Sequence, residues 1–177
     1  MRHLGSVTEL QVTRALGMQW SLPVFPLEKT QSHLECAGLV PFPILDAAQM
    51  VPVHFVPQPR HLYVAFADRI NYTVLYAVEK MLNCRTEPCL ALQTEIQKVL
   101  GEIRQRPRPA EILLDSVSDP VAMARTLVGY AVKLAAEEVR AVGCGEFAWI
   151  KMHTRNDVNN LLFRVSNERQ QTTAVTI

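Results

Sequence analysis

The sequence predicts an α+β protein: an N-terminal helical segment plus a small β-β-α-β-α layer domain, followed by a long helix and a β-hairpin. Three observations lead there. Apolar residues recur with helical spacing near the start, alternate in Val51–Val56 and His61–Ala67, and return to helical spacing from Tyr72 onward. Pro57 and Pro59 separate the two alternating runs as the turn of a strand pair. The stretch Arg104–Pro109 is polar, basic and proline-punctuated, so neither a helix nor a central strand passes through it. It divides a domain of residues 1–103 from a second of residues 110–177.

Each element follows from its residues. Residues 7–20 read as a helix that Thr8 caps, with Glu9 in its first turn and Val12, Ala15, Leu16 and Gln19 on one face, expected to be core. Pro23 and Pro26 stop it, Leu22–Leu27 is extended, Leu34–Cys36 is briefly helical, and Pro41 and Pro43 bend the chain before a short helix at Leu45–Gln49. The loop Asp68–Asn71, with Asp68 read as a cap residue, opens a helix over Tyr72–Leu82 whose buried stripe is Val74, Leu75, Val78, Met81 and Leu82. Thr86–Leu92 is a strand, and Thr94 opens a helix burying Ile96, Val99, Leu100 and Ile103. In the second domain Ser118-Asp119-Pro120 starts a helix, expected to run from Val121 to Val142 and end at Gly143. Its stripe is Met123, Leu127, Tyr130, Ala131, Leu134, Ala135 and Val139. Phe147–Met152 and Asn160–Val165 are strands joined by the polar turn Thr154–Asn159.

Composition removes several function classes. The formal net charge of +1 on 177 residues supplies no global field for nucleic acid or an anionic membrane. The closest glycine pair, Gly143 and Gly145, is not followed by the Lys-Ser/Thr of a phosphate-cradling loop, so a P-loop ATPase is excluded for these residues. No apolar run reaches transmembrane length and no secretory leader opens the sequence, so a soluble, cytoplasmic protein is expected. Cys36, Cys84, Cys89 and Cys144 have neither the density of a disulfide framework nor zinc-ligand spacing, and are expected as buried or half-buried thiols. Glu137-Glu138 reads as the solvated face of a helix, and His153 with Lys151, Thr154 and Arg155 as a basic surface hairpin. No nucleophile, base and orienting group assemble, and neither catalytic residue, metal nor cofactor is expected.

The order of motifs resembles the N-terminal region of the assembly ATPases of type II secretion and type IV pili, the GspE, PilB and MshE group. Gly5-Ser-Val-Thr-Glu-Leu-Gln-Val-Thr-Arg-Ala-Leu-Gly-Met-Gln is similar to their first helix, and Trp20-Ser-Leu-Pro-Val-Phe-Pro-Leu to the segment after it. Val51-Pro-Val-His-Phe and Leu62-Tyr-Val-Ala-Phe-Ala-Asp-Arg-Ile-Asn are similar to the "v-P-v" and "l-x-v-A-x-a-D-P-x-n" strands. The region from Val121 to Val165 resembles the start of the next domain. There the A-S-D-I-H signature has become Glu146-Phe-Ala-Trp-Ile-Lys-Met-His, and only Arg164 matches the paired arginines of the following strand. The motor domain's motifs are not in these residues, and the altered strand motifs lead to the expectation of a stand-alone relative over a fragment of a working motor.

The resemblance implies a non-catalytic docking or regulatory domain whose partner is an inner-membrane platform protein of a secretion or pilus machine. It implies a cytoplasmic location, peripheral at the inner membrane through that partner, and is compatible with a homo-oligomer. Part of the family binds cyclic di-GMP through a repeated motif, which gives an alternative function. Gly5, Val12, Leu16 and Gln19 fall at the spacing of the last fifteen positions of one copy, whose R-L-G start would lie before Met1. By the same resemblance Arg164 could touch a nucleotide phosphate. The apolar positions of that helix read first as core packing and only second as a nucleotide site.

Overall fold

The structure, a computed structural model, describes residues 7–30, 32–107, 109–114 and 119–165. Helices and strands are mixed in an α+β arrangement. The chain forms two compact units, residues 1–108 and 109–177.

In the first unit α1 (Glu9–Trp20) precedes a 3-10 turn at Leu27–Lys29, α2 (Ser32–Cys36) and α3 (Phe42–Ala48). Then come β1 (Met50–Val56), β2 (His61–Phe66), α4 (Tyr72–Leu82), β3 (Arg85–Leu90) and α5 (Gln93–Arg104), in the β-β-α-β-α order that the sequence predicts. β2 is central, antiparallel to β1 and parallel to β3. The expected alternation fails in β1, where Met50, Val51, Pro52 and Val53 are all buried. Packing explains it: α2, α3 and α5 all lie against this strand, so neither face of Met50–Val53 reaches water, and a bulge interrupts its register between Pro52 and His54. α5 buries Ile96, Val99, Leu100 and Ile103 as expected. α4 buries Val74, Leu75, Val78 and Met81, while Leu82 is half-buried. The cap of α4 is Asn71, which accepts a hydrogen bond from the Val74 N–H at 3.1 Å; Asp68 lies exposed three residues earlier. Arg60 closes the other end of α4, donating Nε to the Asn83 carbonyl at 2.7 Å and an NH2 group to that of Leu82 at 2.6 Å.

The outer edge of β3 is sealed along its length. Thr86 donates its N–H and its hydroxyl to Glu79 Oε1 at 2.8 and 2.9 Å. Pro88 has no N–H to offer. Leu90 bonds both ways to the extended segment before it in sequence, N–H to Pro23 O at 2.8 Å and O from Phe25 N–H at 2.7 Å. Such covering is how an edge avoids pairing with another chain.

The second unit holds β4 (Ala110–Leu114), α6 (Pro120–Lys133), β5 (Glu138–Cys144), β6 (Phe147–His153) and β7 (Val158–Arg164), in one sheet of order β4-β7-β6-β5. Here the long helix is corrected. Asp119 caps α6 through the Val121 and Ala122 N–H groups, as its position predicts, but the helix ends at Lys133. Ala135 turns the chain with φ 49°, and Glu138–Cys144 is a strand paired antiparallel with β6. Glu138 is therefore a strand residue and Glu137 lies in the turn, its carboxylate 3.2 Å from Arg155 Nε. Gly145, at φ 61°, begins the two-residue turn between Cys144 and Phe147. The expected hairpin exists as β6–β7 but forms the middle of the sheet, with β4 added in parallel to β7. Met123, Leu127, Tyr130, Ala131 and Leu134 of α6 pack on Ile150, Met152, Leu161 and Phe163. Trp149 is fully buried, and its indole N–H donates to Asn160 Oδ1 at 2.9 Å, so the buried polar pair satisfies itself.

Candidate functional site on the first helix

α1 is held by polar and close-packed contacts, not by its apolar stripe. Thr8 and Gln11 form a capping box, with Thr8 N–H donating to Gln11 Oε1 at 2.9 Å and Gln11 N–H to Thr8 Oγ1 at 3.3 Å. The buried residues of the helix are Thr13 and Gly17. Thr13 satisfies its hydroxyl on the Glu9 carbonyl at 3.1 Å. At Gly17 a Cβ would stand 2.9 Å from the Leu22 carbonyl oxygen and 3.1 Å from Val24 Cγ2, so only glycine lets the helix approach the extended segment. Glu9 then reaches the start of α5, accepting from the Thr94 N–H at 3.0 Å and from the Thr94 hydroxyl at 2.9 Å. Chiefly the Thr94 N–H bond holds the Glu9 carboxyl below its ordinary range.

This seating corrects the expected core stripe. Val12, Ala15 and Gln19 are exposed and Leu16 is half-buried, on the flank of the helix away from Thr13 and Gly17. Val12 is 48% and Met18 79% exposed, with Leu10 also outside. An open hollow of about 470 Å³ is lined by Arg14, Gly17, Met18, Ser21, Leu22 and Val24. Of the nucleotide candidates, Val12, Leu16 and Gln19 thus share one outward flank, whereas Gly5 lies outside the described residues. Arg164 ends β7 in the second unit, 3.6 Å from Glu146 and stacked 5.5 Å over Phe147. Arg14 and Met18 were not singled out by the sequence; the signal would have been a lone cation one turn before an unbranched apolar residue.

A second hollow, of about 420 Å³, is lined by Pro59, Arg60, His61, Asn83, Cys84 and Arg85. Its Arg60 is committed to the end of α4. Burial pushes the Cys84 thiol up, and carries Cys36 to about 11 and Cys89 and Cys144 to about 12, so all four are poor thiolates at neutral pH. Among the described residues no three His, Cys, Asp or Glu side chains converge as metal ligands, and no helix is long and apolar enough to cross a membrane.

Two units, the first a three-stranded sheet under helices behind an exposed first helix, make up this α+β protein. The model of the MshEN domain matches residues 20–110, and the chain belongs to this family. This is the N-terminal domain of MshE/GspE-type ATPases. The match runs from the last residue of α1 to the first of β4. A solved structure titled "Structure of MshE with cdg" is 20% identical, with a TM-score of 0.48, over 56% of this chain and 71% of that one. No curated protein matches the chain.

Proposed function

We propose that this chain is a non-catalytic docking domain related to the type II secretion and type IV pilus assembly ATPases, working in the cytoplasm on an inner-membrane platform protein. The observation that carries this reading is the outer surface of α1. Leu10 and Met18, two turns apart on one side of the helix with Arg14 between them, are held in water on a helix fixed by a capping box, a glycine contact and the Glu9–Thr94 bonds. A rigid, exposed apolar surface gives up little ordering entropy when a partner covers it. Capture from a lysate under gentle conditions should recover a secretion or pilus component. Met18→Asp should abolish that capture without lowering the melting temperature. Recovery of no such component counts against the reading. Purified chain should turn over no ATP, with or without Mg²⁺; activity that survives repurification would end the docking reading.

Cyclic di-GMP binding is the second reading, favoured by one observation: of the positions that the motif resemblance selects, Val12 and Gln19 are exposed and Leu16 is half-buried. Arg14, exposed on the same helix, is the residue type that pairs with phosphate or stacks on guanine. Calorimetric titration with cyclic di-GMP decides it, and the absence of heat at high micromolar ligand rejects it.

A further inference from the structure

We propose that β5 is a self-association edge, at which two copies of this chain pair antiparallel with Glu138 of each copy opposite Arg140 of the other. β5 closes the order β4-β7-β6-β5, and no described segment pairs with its outer side. Its seven residues hold an unbroken register with β6 and contain no proline. It lacks the devices that protect edges elsewhere in the molecule: β3 is sealed by Glu79, Pro88 and Pro23–Phe25, and β4 is entered through Pro107 and Pro109.

The face of β5 beside α6 is also bare. Val139, Ala141 and Gly143 lie opposite Met152, Ile150 and Ala148, and so on the side of the sheet that α6 covers. Yet Val139 is 40% exposed, Ala141 and Gly143 are exposed, and a Cβ on Gly143 would meet nothing within 4 Å. One helix does not span four strands.

Charge selects both the occupant and the register. On the other face Arg140 stands opposite Lys151, two like charges on adjacent strands, and Lys151 is half-buried with its pKa lowered by burial and then by Arg140. Arg140 turns to Glu138 on its own strand, Nε to Oε1 at 2.7 Å. In an antiparallel pair with a two-fold axis normal to the sheet, paired residues share a face. Centring on Arg140 would set arginine against arginine. Centring on Ala141 would leave Arg140 opposite Val142, with the two arginines as diagonal neighbours. Centring on Val139 sets Glu138 against Arg140 twice, builds an alternating four-charge cluster, and brings the two exposed Val139 side chains together.

Sedimentation equilibrium of the full chain over a concentration series should show a monomer–dimer equilibrium that weakens with salt. Glu138→Arg and Arg140→Glu should each raise the dimer dissociation constant by on the order of tenfold or more, because each sets like charges face to face. An equimolar mixture of the two variants should recover association as a heterodimer, since both facing pairs are then opposite in sign. Dichroism melts report whether each variant is folded; should one unfold, the other variant and the salt dependence of the unaltered chain still decide. A chain that stays monomeric at high micromolar concentration, single variants that dimerise as tightly as the parent, or a mixture that stays monomeric would each overturn the proposal.

Discussion

The two units treat their sheets in opposite ways. In the first, helices cover β1 so completely that four consecutive residues are buried, and the β3 edge is closed by a carboxylate, a proline and an extended segment. In the second, one helix is described over four strands, none of its residues is fully buried, and among the described residues nothing pairs with the outer edge of β5. The outer side of that helix carries Val121, Val128 and Val132 in water. The difference teaches where association can occur. The first unit offers a rigid scaffold with one exposed helix, while the second offers unpaired backbone and uncovered apolar surface.

Core truncations sharpen that comparison most. Leu62→Ala removes a fully buried side chain of β2 and should cost about 2–5 kcal/mol in urea unfolding, whereas Val128→Ala on the outer side of α6 should stay within about 0.5 kcal/mol. Equal losses would show that α6 is covered in solution. Gly17→Ala comes next. The added methyl meets a backbone oxygen, which cannot swing aside, so we expect a loss of about 1–3 kcal/mol and faster hydrogen exchange along α1. Unchanged exchange would mean that α1 is not seated on Leu22 and Val24.

The smallest effect concerns the link from Glu9 to Thr94. The Glu9 carboxyl titrates lower in the folded chain than its ordinary 4.5, so it binds its proton more weakly folded than unfolded. Its contribution is therefore present in full above the ordinary carboxylate range and is lost as the pH falls through the folded value. Glu9→Gln should lower the melting temperature slightly at neutral pH, with the gap to the parent closing as the pH falls through the folded carboxyl's lowered range. A gap that is constant with pH would mean that the carboxylate charge plays no part.

What the sequence determined by itself was local. Hydrophobic period located α4 and α5 and their buried faces, capping chemistry located the starts of α1 and α6, and prolines located the turn between β1 and β2, because each signal lies within a few residues of what it specifies. Ordered motifs were enough to point to the family. The tertiary structure decided the rest. α1 was legible as a helix but not in its orientation, since it seats on Thr13 and Gly17, where close approach outweighs apolar area. This turned Val12, Leu16 and Gln19, read as core, into the outward flank of the candidate site. Glu138–Val142 has helix-compatible spacing and became part of β5 only because β6 supplies its hydrogen bonds across Gly145. β4 is five residues whose partner, β7, lies more than forty positions away, and no local pattern encodes a pairing of that range. Burial of a face and pairing of an edge are properties of two segments together, so only the folded chain could assign them.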